Sequence, residues 1–315
     1  MPESEFKPIL DRDKHEGDAR QHFSKQIDLL VDLANYGSNL IPRAYDSSSK
    51  KLEDIVVIGV LLKQVVSMID AVEILVSEGA VGPANLQARA AFESSLYIDW
   101  ILMSESERKA KYYYVSDLRN QRLWALRLKT GTPEKQVFSK ALSYLGKHLE
   151  TARLEDLEKE AEEVLAKIDS LLTRNAWNEI SLAFDKKKNK KTGAETYWYK
   201  MLGVSSIRQL AEHVGRLAEY DLFYSRSSEV MHAASYRDHI QFHKGIVFFE
   251  PIRQLKDMHN LLRFINSVAI SSYMSVLKHY RPGELTHFTR KYMRDWRTAF
   301  LNIPTVSYTH NTGHP

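Results

Sequence analysis

The chain has 315 residues, of which 43% are hydrophobic and 27% are charged, and these values exclude wholesale disorder. It contains no cysteine, which excludes disulfides, thiolate metal sites and a cysteine nucleophile and fits a reducing compartment. The formal net charge of +4 at pH 7 is far below that of a dedicated duplex-DNA binder.

Apolar residues recur mainly at helical spacing along the chain, which predicts an all-α, multi-helix bundle. Residues 1–50 are predicted to be an N-terminal helix from Asp18 to Tyr36 and a linker from Pro42 to Lys51. Residues 51–302 are predicted to form a single helical domain, followed by a loose tail over 303–315. The stretch from His239 to Phe249 alternates weakly and is interpreted as a strand pair or an irregular excursion.

The most apolar run, Ile55 to Val76, is interrupted by the polar residues Lys63, Gln64, Asp70 and Glu73. A membrane-spanning helix needs about 20 mostly apolar residues, so this run predicts a buried core helix instead. The first residues, 1–7, are charged and lack the apolar core of a signal peptide. We therefore expect a cytoplasmic protein without a membrane partner.

A long helical hairpin, which could protrude from the domain, is predicted at about residues 134–175, within a stretch that has no proline from Glu134 to Glu250. Apolar residues in this segment alternate spacings of four and three, as in a coiled-coil seam: Leu157, Ala161, Val164, Ile168 and Leu171. The stripe packs either on its own domain or against a second copy in a dimer. Both alternatives are open at the level of the sequence.

A basic loop is predicted over residues 184–197. Its lysines are Lys186, Lys187, Lys188, Lys190 and Lys191. Such a run can bind the backbone of a nucleic acid, and it can equally be a solvated turn.

One predicted helix carries small polar residues where an amphipathic helix normally has leucine or valine. Ser225, Ser228, His232 and Ser235 fall at i, i+3, i+7 and i+10, and so share one face. Small hydroxyl side chains permit close approach of a ligand or another backbone, and each buried hydroxyl needs a hydrogen-bond partner. This face is therefore a candidate functional surface.

A second helix carries Arg89, Glu93 and Tyr97 at i, i+4 and i+8 in apolar surroundings. The spacing predicts a partly buried ion pair between Arg89 and Glu93, which is costly unless further hydrogen-bonded. We expect this pair, together with Asp70 from the preceding helix, to meet the serine and histidine face. The predicted supporting polar cluster comprises Arg89, Glu93, Tyr97, Asp70, Tyr224, Ser225, Ser228 and Ser235.

The familiar phosphate-binding and catalytic motifs are absent. There is no Walker A loop, no dinucleotide-binding glycine fingerprint, no nucleophile elbow and no H-E-x-x-H motif. His239 and His243 lie four apart, which permits a metal site, although surface or half-buried histidines are the simpler interpretation. No cofactor and no metal are therefore expected.

Two short motifs carry a resemblance to a known family. Arg-Ala-Ala-Phe-Glu-Ser at 89–94 and Tyr-x-x-x-Tyr-Ser-x-x-Ser-x-x-x-His at 220–232 resemble an uncharacterised bacterial family, domain of unknown function 5677. The likeness covers roughly residues 50 to 280. It implies no activity.

The spacing Arg226-x5-His232 also resembles the R-x4–6-H signature of HEPN domains. These are all-helical modules, many of which are metal-independent ribonucleases of defence and toxin systems. The resemblance implies a HEPN-like core with Arg226 and His232 as the catalytic pair. The family often has Asn, Asp or His directly after the arginine, whereas this chain has Ser227.

The resemblance implies a mechanism without a metal. His232 would act as general base or acid on a ribose 2′-hydroxyl, and Arg226 would stabilise the charge on the phosphate. At i and i+6 the two side chains lie about 120° apart around a helix, so a homodimer that brings two pairs together is expected. The expected partners are RNA and a protein encoded nearby, in phage defence or a toxin system. The alternative is a non-catalytic interaction or ligand-sensing module.

Overall fold

The computed structural model describes residues 12–142, 151–188, 195–226, 239–243 and 245–306. Within these residues the chain is almost wholly helical, which confirms the predicted all-α, multi-helix bundle. The helices group into two compact units. Unit 1 is drawn from residues 1–104 and 207–315, and unit 2 is drawn from residues 105–206.

The described helices are, in chain order, α1 Arg12–Asp46, α2 Val57–Ser77, α3 Val81–Met103, α4 Ser106–Leu128, α5 Pro133–Leu142, α6 Thr151–Leu172, α7 Asn175–Lys187, α8 Trp198–Met201, α9 Ile207–His213, α10 Leu217–Glu219, α11 Met258–Tyr280, α12 Leu285–Lys291 and α13 Arg297–Leu301. Short π-helical segments occupy Leu52–Val56, Tyr220–Tyr224 and Tyr292–Trp296, and a 3-10 turn occupies Pro282–Glu284. Two strands, β1 Ile240–His243 and β2 Ile246–Phe249, form an antiparallel hairpin.

Four long helices form the core of unit 1. Helix α1 packs on α2, α2 on α3, α3 on α11, and α11 returns to α1. The apolar periodicity of each helix explains this arrangement, because each buries one stripe against its neighbours. Buried residues at helical spacing on α2, such as Ile58, Leu62, Val65 and Ile69, show the pattern.

Among the described residues, one helical segment, Leu52–Ser77, is long and apolar enough by composition to span a bilayer. Half of its most apolar window is buried inside the protein. The opposite face carries exposed polar residues, including Lys63, Gln64 and Asp70. A buried apolar face and a polar outer face are what a core helix of a bundle presents.

Helix α1 is longer than the sequence predicts, because it continues through Pro42 to Asp46. Proline inside a helix removes one hydrogen bond and strains the preceding turn. Leu40 and Ala44, on either side of it, are both fully buried, so core packing favours continuing the helix. The predicted linker is thus reduced to the residues between Asp46 and Leu52.

The predicted strand pair is present as the β1–β2 hairpin. Ile240 lies opposite Phe249, and Phe242 lies opposite Val247. Directly opposed residues share one face of a sheet, so these four side chains form a single apolar face. Phe242, Val247 and Phe249 are exposed.

Unit 2 is built around α4, on which α5, α6, α7 and α8 all pack. The segment predicted as a helical hairpin corresponds to α5 and α6, and Ala161 and Leu165 of α6 are buried against Ala125 of α4. Buried Arg119 ties α4 to α7 and to the chain before α8. It donates to Asp185 at 2.6 Å and to both carboxylate oxygens of Glu195 at 2.9 and 3.0 Å.

The contact between α1 and α11 depends on the absence of a side chain at Gly37. A Cβ atom there would overlap Tyr273, whose hydroxyl donates to the carbonyl of Leu33 at 2.8 Å, and would also overlap Val66. We expect Gly37→Ala to lower the free energy of unfolding by about 1–3 kcal/mol, because overpacking forces neighbours to shift. Urea denaturation measures this.

The matched control is Gly59→Ala on α2, where an added Cβ meets nothing within 4 Å. Alanine is the better helix former there, so this variant should be more stable by about 0.5–1 kcal/mol. Equal effects at the two positions would contradict the packing described here.

Candidate functional site

Arg89, Glu93 and Tyr97 lie along one half-buried face of α3, as their spacing predicts. The hydroxyl of Tyr97 donates to Glu93 Oε1 at 2.8 Å. The other carboxylate oxygen, Oε2, accepts from the hydroxyl of Tyr224 at 2.8 Å. Glu93 therefore joins α3 to the π-helical segment Tyr220–Tyr224.

Arg89 contacts the same tyrosine in three ways. Its Nη2 donates to the Tyr224 hydroxyl at 3.0 Å, and its Nη1 donates to the Tyr224 carbonyl at 3.3 Å. Its guanidinium carbon lies 4.0 Å from the centre of the Tyr224 ring, a cation–π distance. The predicted direct ion pair between Arg89 and Glu93 is thus replaced by a bridge through Tyr224, whose hydroxyl accepts from one and donates to the other.

Burial gives Tyr224 unusual acid–base properties. Removal from water, and secondarily the neighbouring carboxylate of Glu93, raise its pKa well above the ordinary tyrosine value, since both oppose the phenolate. The ring stacks on Tyr220 at 5.0 Å and packs against Phe92 at 5.7 Å. Tyr224 is therefore held as a neutral hydrogen-bond donor.

A second polar cluster surrounds Arg216, in the turn between α9 and α10. Its Nη1 donates to the hydroxyl of Ser95 at 2.6 Å and to Asp99 Oδ2 at 2.9 Å. Its Nε and Nη2 both donate to Glu219. The guanidinium lies over the ring of Phe92 at 4.8 Å, so Phe92 separates the two clusters.

Helix α11 completes this second cluster with hydroxyls. Ser275 donates to Asp99 Oδ1 at 2.6 Å, and Ser267 donates to Glu219 at 3.0 Å. Burial raises the pKa of Asp99 above its usual range, although Arg216 and Ser275 act in the opposite direction. This cluster was not predicted from the sequence. The residue that could have indicated it is Asp99, a carboxylate flanked by Ile98 and Trp100, which are buried.

Asp70 does not join the predicted cluster. It lies on the exposed face of α2, one turn before exposed Ile74. The helical repeat places it on this face, since the buried positions around it are Ile69 and Val72. Its interruption of an apolar run therefore marks the solvent side of a core helix.

The predicted serine and histidine face is described only at Ser225, whose hydroxyl donates to the carbonyl of Asp221 at 2.9 Å. Ser228, His232 and Ser235 lie outside the described residues. The residue that meets Arg89 and Glu93 is the neighbouring Tyr224. Its longer side chain reaches α3, whereas Ser225 satisfies its hydroxyl on its own backbone.

Arg226, the other predicted catalytic residue, is exposed two positions after Tyr224. It makes no hydrogen bond or ion pair with the part of the chain that the structure describes. The polar groups of Tyr224, Glu93 and Arg89 are occupied by one another. This arrangement is suited to fixing the chain before Arg226, and the guanidinium of Arg226 itself remains accessible.

The predicted basic loop is described in part. Lys186 and Lys187 are exposed at the end of α7, and the Lys188 ammonium lies 3.8 Å from Glu195. Lys190 and Lys191 lie outside the described residues. Within the described ranges no group of three or more histidine, aspartate or glutamate side chains could hold a metal ion, and the side chain of His243 falls outside them.

Comparison with known proteins adds a family. The model of a family of unknown function, DUF5677, matches residues 54–245 of this chain. The chain therefore belongs to that family, in agreement with the resemblance seen in the two motifs. No curated protein and no solved structure matches it.

The raised pKa of Tyr224 predicts a loss of stability in alkali. Unfolded tyrosine loses its proton near pH 10, whereas folded Tyr224 keeps it, so unfolding releases a proton above that pH. This contribution to the free energy of unfolding is fully present below pH 10. Above pH 10, each tyrosine whose folded pKa is raised lowers the free energy of unfolding by about 1.4 kcal/mol per pH unit. Tyr224→Phe should make the decline in unfolding free energy between pH 10 and 11.5 shallower.

Urea denaturation at a series of pH values measures this slope. Tyr45→Phe, at an exposed tyrosine, is the control and should keep the wild-type slope. Buried Tyr273 and Tyr280, whose pKa values are also raised by burial, should leave part of the decline in every variant. A Tyr224→Phe slope equal to that of the wild type would contradict the buried donor.

Proposed function

We propose that this member of the DUF5677 family is a metal-independent endoribonuclease of the HEPN type, with Arg226 and His232 as its catalytic pair. The observation that carries the proposal is the cluster of Arg89, Glu93 and Tyr224. It fixes the backbone two residues before Arg226, while Arg226 itself is exposed and makes no hydrogen bond or ion pair with the described residues. An active-site arginine needs a fixed backbone position and a guanidinium that is available to contact the substrate.

The reaction follows from the chemistry of the two side chains. His232 would take the proton of a ribose 2′-hydroxyl, whose oxygen attacks the adjacent phosphorus as the bond to the 5′-oxygen breaks. Arg226 would stabilise the added negative charge with charge-assisted hydrogen bonds. The protonated imidazole would give that proton to the departing 5′-oxygen, so the products would be a 2′,3′-cyclic phosphate and a 5′-hydroxyl. A second copy in a homodimer would supply the second pair.

Unit 2 has an exposed surface suited to single-stranded RNA. Tyr197 is 63% exposed and stacks on Tyr199 with the ring centres 5.5 Å apart. The Lys200 ammonium lies 5.3 Å from the centre of the Tyr197 ring. Thr196 donates to the carbonyl of Lys187 at 3.0 Å, which brings the lysines at the end of α7 next to this tyrosine. An aromatic platform beside lysines binds bases by stacking and phosphates by charge.

The cellular setting is part of the same proposal. A metal-independent ribonuclease of this type would act in the bacterial cytoplasm, in phage defence or as a toxin, with a partner protein encoded nearby that controls it. RNA turnover by a free enzyme would harm the host, so such control is expected of the class.

A second function is a non-catalytic interaction or ligand-sensing module. The observation that favours it is the internal satisfaction of both polar clusters of unit 1, since Glu93, Tyr224 and Arg216 all bond within the fold. Groups committed in this way stabilise a structure. They do not by themselves perform chemistry.

RNA cleavage by the purified full chain in EDTA decides between the two functions. The first predicts cleavage of single-stranded RNA to 2′,3′-cyclic phosphate ends, with losses of about 100-fold or more in His232→Ala, since general acid–base catalysis contributes that much. Arg226→Ala should lose activity similarly. His287→Ala, at an exposed histidine of α12, should keep wild-type activity.

Activity that EDTA abolishes, or that His232→Ala and His287→Ala retain equally, would contradict the ribonuclease proposal. A folded protein that cleaves no RNA would favour the second function. Circular dichroism of each variant shows whether it is folded.

A further inference from the structure

A shallow, open cleft of about 540 Å³ lies on the surface of unit 1, where the end of α3, the turn after α9 and the last turns of α11 come together. Its walls are partly apolar, with Leu102 and Met103 from α3 and Met274 from α11. Arg226 is not among the described residues that line it.

The floor of the cleft is the second polar cluster. Asp99 and Arg216 both line the cleft, and each is already satisfied. The guanidinium donates to Ser95, Asp99 and Glu219, and the two oxygens of Asp99 accept from Arg216 and Ser275. The floor is thus polar and rigid, but its ion pairs leave neither a free guanidinium nor a free carboxylate for a ligand.

The mouth of the cleft, by contrast, carries lysine, histidine and serine side chains. Ser271 and Lys278 lie at i and i+7 on α11, and so share the face that lines the cleft. Neither side chain, nor that of His213 across the cleft, has a hydrogen bond or ion pair with the described residues. His279 also lines the mouth, with its ring packed on Tyr280.

These groups define the chemistry of an occupant. A lysine, two imidazoles and a serine hydroxyl line the same cleft, and a phosphate monoester offers the oxygens and the charge that such donors complement. The carboxylate in the lining, Asp99, is held by Arg216 and does not point a free charge at the occupant. The apolar wall suits an organic body attached to that phosphate.

We propose that this cleft binds a small phosphate monoester with a largely flat or apolar body, of the size of a nucleoside monophosphate. Its phosphate would contact Lys278, His213 and the hydroxyl of Ser271, and its body would lie against Leu102, Met103 and Met274. The inference goes beyond the proposed ribonuclease activity and does not depend on it, because the residues assigned to ligand binding are different from the proposed catalytic pair.

Isothermal titration of the full chain with three probes tests the proposal. Adenosine monophosphate has both a phosphate and a nucleoside. Inorganic phosphate has the phosphate alone, and adenosine has the nucleoside alone. We expect the monophosphate to bind most tightly and adenosine most weakly. Lys278→Gln should weaken monophosphate binding by at least about tenfold, since a hydrogen bond to a charged group contributes that much.

Lys63→Gln is the matched control, because it removes the same charge from an exposed position on α2. The control should leave the affinity for the monophosphate within about twofold of the wild-type value. His213→Gln is a second test variant, on the opposite side of the cleft. Absence of binding by both phosphate probes would overturn the proposal, as would equal binding of adenosine and the monophosphate. An equal effect of Lys278→Gln and Lys63→Gln would also overturn it.

The His232→Ala protein separates this inference from the ribonuclease proposal. It should bind adenosine monophosphate with wild-type affinity whether or not the wild-type chain cleaves RNA. A loss of binding in this variant would contradict the assignment of the ligand to the cleft.

Discussion

Unit 1 depends on the way in which the charges of α3 are satisfied. Arg89, Glu93 and Asp99 lie on a helix that packs between α2 and α11, and charges removed from water are costly unless each finds partners. The chain from Arg216 to Tyr224 supplies most of those partners. Its return to α3 is therefore determined by hydrogen bonds as well as by apolar burial.

This constraint explains the position of the candidate functional residues. Tyr224 lies between Arg89 and Glu93, and Arg216 lies between Asp99 and Glu219, with Phe92 packed against both. Because both ends of the segment are held, Arg226 begins from a fixed position on the surface. Arg216, at the start of that segment, also lines the cleft at the end of α3, so the two proposed sites share part of their structural support.

Part of this could be predicted from the sequence. The spacing of Arg89, Glu93 and Tyr97 marked a polar face on an apolar helix, and the later helix was expected to meet it. Tyr224 and Ser225 were both expected in the cluster, and the structure shows that Tyr224 contacts Arg89 and Glu93. Which of the two side chains reaches α3 could not be decided from the sequence, because it depends on the folded geometry. Asp70 was expected in the same cluster but lies on the exposed face of α2. A charged residue in an apolar run can mark either a buried site or the solvent face of a helix.

The division into two units was also beyond the sequence. Residues 51–302 read as one helical domain, with no glycine- or proline-rich linker at either boundary of unit 2. Which helices group together is decided by contacts between residues far apart in the chain, such as those of Arg119 with Asp185 and Glu195. Local periodicity carries no information about such pairings.

Glu93 and Tyr224 hold the segment from Arg216 to Tyr224 on α3 through a direct contact, which should be energetically coupled. A double-mutant cycle of Glu93→Gln and Tyr224→Phe, measured as free energies of unfolding in urea at pH 7, tests it most directly. We expect a coupling energy of about 1–2 kcal/mol, as found for residues that share a hydrogen-bond network. Effects that add to within about 0.5 kcal/mol would contradict it.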